Sequence, residues 1–250
     1  MRELLLIGAS GLAREVLSVL RRTGDSRSVS ILDDQSALAG TSVQGAAVVG
    51  GLSEVANRPG AELLVCVGQG AARAAIVARL TGLGVTPDRY CSVIHPSVDV
   101  PDTCHVGVGG ILLAGVVLTD DVHLGDHVVI MPNATLTHGN RLDDFATLCA
   151  GVTLGGNVRV GSGAYLGMNA AVRERVSIGR GAVLGMGSAV LEDVPDRETW
   201  VGVPARRLRT AALGPLMPTV SGPPDSVPPA VVPASSAPEV LVSGIPGGIE

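Results

Sequence analysis

LTHGNRLDDFATLCAGVTLGGNVRV, residues 136–160, carries an aliphatic residue at every sixth position: Leu136, Leu142, Leu148, Leu154 and Val160. Four residues after each stands a second, mostly small one: Asn140, Ala146, Val152, Val158 and Ala164. Followed outward, the first column runs unbroken from Ile94 to Val190 and the second from Val98 to Ser188. A period of six fits neither an α-helix nor a simple amphipathic strand. It fits a hexapeptide solenoid, in which three short strands and three turns, about 18 residues, close one triangular coil. The aliphatic column fills the prism and the small column fits its corners. With coils about 4.8 Å apart, the segment makes five to six coils, a prism of roughly 27 Å.

The rest of the composition agrees with such a core. Of 250 residues, 46% are hydrophobic but only 2% aromatic, so the interior is aliphatic, and 34 glycines call for many tight turns. A net charge of −5, with no basic run, argues against nucleic acid or an anionic membrane as partner. Cys66, Cys91, Cys104 and Cys149 form no CxxC pair and suit neither a zinc site nor a disulfide framework. The run LLLI near the N-terminus is too short for a signal core, and no stretch reaches the length of a membrane span. The expected location is the reducing cytoplasm.

Before the repeat, LLLIGASGLAREVLSVLRR reads as strand, glycine turn and helix, with Leu12, Val16, Val19 and Leu20 on the apolar face. VSILDD is a second strand ending at Asp33 and Asp34; ELLVCVG is a third, followed by a helix from about Ala71 to Leu83. The expected organisation is a small Rossmann-like βαβ domain at 1–92, the prism at 93–209 and a Pro-rich disordered tail at 210–250. Gly8, Ala9, Ser10 and Gly11 could present backbone N–H groups and a helix N-terminus to a phosphate, with Asp33 spaced as a ribose-binding acid. The alternative is that these glycines permit a tight turn and the aspartates cap a strand end.

His138 is the third residue of the hexad 136–141; since Leu136 and Asn140 point inward, its imidazole points outward. An outward histidine is by default a solvated surface residue. Two neighbours suggest more. Asn140 puts an amide into a column of small residues, where burial costs free energy unless the amide is hydrogen-bonded. One coil later, Gly155 and Gly156 could turn backbone N–H groups toward a ligand lying along the prism. His105 and His123 share one column a coil apart, but no third ligand stands at a suitable spacing, so no metal is expected.

GASGLAREVL, ILDD, the span Ile130–Arg209 and its ending WVGVPARRLR resemble the sugar O/N-acyltransferases of the sialic-acid O-acetyltransferase type, which include acetyltransferases of nucleotide-linked amino sugars. The resemblance implies a mainly β fold, a left-handed parallel β-helix behind the small α/β domain, assembled as a homotrimer with active sites between subunits. It implies acetyl-CoA as co-substrate and His138 as the catalytic base, with Gly156 and Gly155 at the thioester oxygen. Gly185, Pro204 and Ala205 would lie along coenzyme A, and Gly8 to Gly11 with Asp33 and Asp34 would hold the acceptor's nucleotide. An imidazole can take the proton that an attacking amine or hydroxyl must lose. The sequence departs from the family where an acid usually follows the histidine, here Gly139, with Asp143 or Asp144 as possible substitutes. It departs again at Thr147, where some members carry a second histidine. An aminoglycoside or amino-acid acceptor, and a catalytically silent trimeric scaffold, are the alternative expectations.

Overall fold

The computed structural model describes residues 3–208; Arg209 and the expected tail, 210–250, lie outside the described residues. Strand β1 (Glu3–Ile7) leads through a glycine turn into helix α1 (Gly11–Thr23). Ser10 caps that helix by accepting the Ala13 N–H at 3.3 Å, and Gly24 ends it in the left-handed conformation, φ 65°. Leu12, Val16, Val19 and Leu20 are buried. Then come β2 (Ser28–Leu32), β3 (Ser42–Val43), β4 (Ala46–Gly50), β5 (Glu62–Val65) and α2 (Gly70–Gly82). The sheet order is β3-β4-β2-β1-β5, parallel except for β3. The hairpin β3–β4 is an addition to the expected βαβ unit. It turns on Gln44 and Gly45, both at positive φ.

From Val93 the chain winds into a prism with three faces of parallel two-residue strands. Each strand pairs with the one 18 positions on, as His123 with Arg141, Thr135 with Thr153 and Thr147 with Tyr165. The inward column is buried from Leu112 to Val190, and the small column from Val116 to Ser188. A third column emerges from the backbone: every sixth residue from Gly109 to Gly187 has positive φ. Gly and Asn hold most of these turn positions, but so do Asp121, His127, Phe145 and Arg175. The last coil is two residues shorter, Val183 pairing with Thr199, and an antiparallel strand at Arg206–Arg207 closes the end.

One prism face, through Ile111 and Val129, is covered by the N-terminal unit and joins the core that contains α1; this is the docked face. The other two are the threonine face (Val117, Thr135, Thr153, Ala171, Ala189) and the histidine face (His105, His123, Arg141, Arg159, Ser177). Arg73 of α2 fastens the docking. Its fully buried guanidinium donates to the carbonyls of Val67, Gly68, His127, Phe145 and Ala146 and to Thr147 Oγ1, at 2.7–3.0 Å. Burial pulls its pKa down to about 10. Thr147 in turn donates to Gly68 O at 2.9 Å. The family's second-histidine position is thus a buried docking residue in this chain. All four cysteines are unpaired. Among the described residues no helix is long and apolar enough to cross a membrane.

Candidate active site

The corner between the threonine and histidine faces is built from turns at 119–122, 137–140, 155–158 and 173–176. His138 is exposed on the second of these, and its ring lies over the third. A Cβ at Gly156 would sit 2.5 Å from both Cε1 and Nε2 of His138, so the ring keeps this place only over a glycine. One backbone bond locks the two turns together, Asn157 N–H to His138 O at 2.9 Å, and a second runs on to the next coil, Gly155 N–H to Val172 O at 2.9 Å. The second bond corrects the expectation that both glycines offer N–H groups. The Gly155 N–H is committed to the ladder, while the Gly156 N–H meets no protein acceptor among the described residues.

Asn140 is fully buried in the same turn, and its Nδ2 donates to Gly155 O at 2.8 Å. Gly139 holds a left-handed turn position, φ 71°, where the coil below places Asn157. A Cβ there would sit 2.5 Å from Asn157 Oδ1, so this close approach, more than the backbone angle that Asp121 also adopts, favours glycine at the position. Asp143 and Asp144 do not replace that acid. They stand at the next corner, where Asp144 Oδ1 accepts the Asp126 N–H at 2.8 Å. Among the described residues the His138 ring has neither a hydrogen bond nor an ion pair.

Asp143 and Asp144 instead line an open groove of about 710 Å³ with His105, His123, Arg141 and Arg180. The His105 and His123 rings are 6.2 Å apart, and His123 Nδ1 is 3.6 Å from Asp121 Oδ1. No group of three residues able to hold a metal occurs among the described residues.

The remaining expected site residues lie elsewhere. Gly185 belongs to the corner between the docked and threonine faces, and its N–H donates to Trp200 O at 2.8 Å. Pro204 is exposed beside Val203, but Ala205 is buried in the prism core, its N–H on Ala189 O at 2.7 Å. An Ala205 side chain packed inside the prism is not available to a ligand.

At the N-terminal unit, Gly8 to Gly11 leave β1 at the carboxyl edge of the sheet, where the chain passes to β2 on one side and β5 on the other. Open α/β sheets receive ligands at such switch points. Asp33 binds this loop rather than facing it empty-handed: Oδ2 accepts the Ala9 N–H at 2.8 Å, and Oδ1 the Gln35 N–H at 2.9 Å. Ser10 Oγ donates to Cys66 O at 2.6 Å. Asp34 accepts the Leu52 N–H at 2.9 Å and pairs with Arg79 at 2.8 Å. These partners, the Leu52 N–H foremost, hold its carboxyl below the usual range. No hydrogen bond among the described residues joins this loop to His138.

Residues 3–80 match the family model described as the PglD N-terminal domain. No curated protein matches the chain. Among solved structures, the acetyltransferase domain of PglB from Neisseria gonorrhoeae FA1090 is 30% identical with a TM-score of 0.76, over 83% of this chain and 100% of that one. The same domain has been solved with acetyl coenzyme A. PerB from Caulobacter crescentus, solved with CoA and GDP-perosamine, is 30% identical with a TM-score of 0.75, over 84% of this chain and 98% of that one. WeeI from Acinetobacter baumannii AYE, 22% identical with a TM-score of 0.61, shares the fold over 83% of this chain and 100% of that one. These relatives do not single out the sialic-acid O-acetyltransferase type. The left-handed β-helix, the α/β unit before it and the match at 30% identity over 83% of the chain show that the chain belongs to the acetyltransferase family of the PglB domain and PerB, enzymes that use acetyl-CoA as co-substrate.

Proposed function

We propose that the protein transfers the acetyl group of acetyl-CoA to an amino group of a nucleotide-linked sugar, with His138 as general base. One observation carries this reading: the imidazole lies over Gly156, where a Cβ would displace the ring, and the Gly156 N–H beside it has no acceptor among the described residues. The acceptor amine attacks the thioester carbonyl carbon, a C–N bond forms, and the carbonyl oxygen becomes an oxyanion near the Gly156 N–H. His138 takes the proton the nitrogen must lose. As the C–S bond breaks, that proton passes to the departing thiolate, leaving an amide and free CoA. A fixed N–H aimed at the oxyanion is worth roughly 3 kcal/mol. The base contributes about 10²–10⁴ in rate.

The amino acceptor is favoured over a hydroxyl because PerB was solved with GDP-perosamine, an amino sugar carried on a nucleotide. On this reading the loop Gly8–Gly11 with Asp33 and Asp34 holds the nucleotide, and the Gly11 end of α1 favours its phosphates. The active unit is a homotrimer in the cytoplasm. Each His138 corner faces a neighbouring subunit, so that Gly185 and Pro204 reach coenzyme A across the contact.

The test is release of free CoA from acetyl-CoA against UDP-, dTDP- and GDP-linked amino sugars, each beside its nucleotide-free sugar. One nucleotide-linked series should be turned over at least tenfold faster than its free sugar. His138→Ala should lower that turnover by about 10²–10⁴ without changing the melting temperature. Equal rates on free sugars would remove the nucleotide, and a fully active His138→Ala would remove the base.

A further inference from the structure

The small inward column of the prism holds a residue that packing alone does not explain. Between Val116 and Val176 its members are Val or Ala, except Asn140. Asn140 is completely buried, its Oδ1 has no hydrogen-bond partner, and such an orphaned acceptor is a stability cost. Yet its Nδ2 makes one good bond, 2.8 Å to the carbonyl of Gly155 in the coil below.

That carbonyl and the Gly156 N–H belong to one peptide unit. In a trans peptide the C=O and N–H point in opposite directions and cannot turn independently. Anchoring the Gly155 oxygen inward therefore aims the Gly156 N–H outward, on the side where the His138 ring lies. A hydrogen bond accepted by the carbonyl also polarises the peptide and strengthens its N–H as a donor. The anchor replaces one that other corners have. At the neighbouring corner Gly161 O accepts the Ala164 N–H from within its own turn at 3.1 Å, and Gly179 O accepts the Ala182 N–H at 3.2 Å. At the His138 corner the turn at 101–104 has this bond, Cys104 N–H on Pro101 O at 2.8 Å, but the corresponding bond from Val158 to Gly155 O is not formed.

We propose that Asn140 is a positioning residue for acyl transfer: by holding Gly155 O it fixes the direction and donor strength of the Gly156 N–H that meets the oxyanion. This rests on the reading of His138 and Gly156 given above. Asn140 touches no reacting atom, and the stability lost at its orphaned oxygen is offset by a preorganised donor.

The test replaces Asn140 with residues this column already accommodates, Asn140→Val and, should that variant be insoluble, Asn140→Ala. Expected are an unchanged or higher melting temperature, KM for acetyl-CoA within about twofold of wild type, and kcat about 10- to 100-fold lower. That is less than the roughly 10²–10³ lost when an oxyanion donor is removed outright. The kcat pH profile should keep its wild-type midpoint, because the base is untouched. Wild-type kcat in a folded variant overturns the proposal. So does a loss of kcat that comes with a lower melting temperature and a raised KM, which would make Asn140 a packing residue. His138→Ala, assayed beside it, separates the two readings. If His138→Ala is fully active, the underlying site is wrong; if it is impaired while Asn140→Val is normal, only the positioning role fails.

Discussion

His127 and His138 stand at neighbouring corners of one prism and have opposite surroundings. His127 is buried, stacked on Phe145 with ring centres 5.3 Å apart and planes 3° apart, with Tyr90 edge-on at 4.6 Å. Its Nδ1 has no partner, and its backbone carbonyl accepts from Arg73 at 3.0 Å. His138 is exposed, with its ring free on a glycine shelf. The slot within the hexad makes the difference. His127 and Phe145 hold the positive-φ turn position on a corner that the N-terminal unit covers, so their rings become part of the docking contact. His138 holds the slot before that position on an uncovered corner. Residue type thus says little about a solenoid histidine until its place in the repeat and the cover of its corner are known.

The two corners share one aliphatic core, so the largest effect destroys both. Leu148→Asp would bury an unpaired carboxylate at a position with no solvent exposure and should abolish soluble folded protein. Exposed Arg159→Ala should stay within about 0.5 kcal/mol of wild type. A cooperative thermal transition in Leu148→Asp would break the common-core premise.

A smaller effect separates the corners. Arg73→Met leaves buried carbonyls of the docking corner without their donor and should cost about 3–5 kcal/mol, lowering Tm by about 10 °C. The acetyl-CoA KM of the remaining folded protein should be unchanged. Calorimetry with kinetics at a temperature below the transition checks both, and a KM that rises in step with the lost stability would couple the corners.

The smallest effect sharpens the contrast between the histidines. Burial, foremost, depresses the His127 pKa, aided by Arg73 and opposed by Asp126 and Asp144. Tyr90 and Phe145 pack on its ring and bring no charge near neutral pH. A folded-state pKa below the unfolded value near 6.5 means that the unfolded chain binds the proton first as pH falls. The stability His127 contributes is therefore complete above about pH 6.5 and is lost below it, toward the folded-state pKa. His127→Asn, which suits a positive-φ position, should unfold with a shallower pH dependence between about pH 6.5 and 5 than wild type. Parallel curves for the two proteins would mean that His127 is protonated in place.

Most of the fold is legible because burial and the repeat share a period; a buried slot recurs every six residues and must be aliphatic or small each time. The positive-φ column is less visible, since a backbone angle leaves a signature only through Gly and Asn, and His127, Phe145 and Arg175 interrupt it. The β3–β4 hairpin is too short to show alternation. At the site, His138 and Gly156 can be matched because they are one coil apart. Hydrogen-bond commitments cannot be counted from the sequence. It does not reveal that the Gly155 N–H is already taken, that Asp33 is satisfied by Ala9 and Gln35, or that Ala205 lies inside. Arg73 is the sharpest case: an arginine on a helix reads as surface until the carbonyls of a second unit surround it.

The fixed pairing of each strand with the one 18 positions on has an evolutionary corollary. Length changes in the prism are quantised. Adding or removing a whole coil keeps every ladder, inward column and turn in phase, whereas a shift of one or two residues throws all that follows out of phase. Only the final coil, with its two-residue deficit, escapes this rule, because nothing stacks beyond it but the closing strand. A family built this way should therefore vary in length by whole coils placed away from the one step that separates His138 from Gly156, and by free additions at its ends.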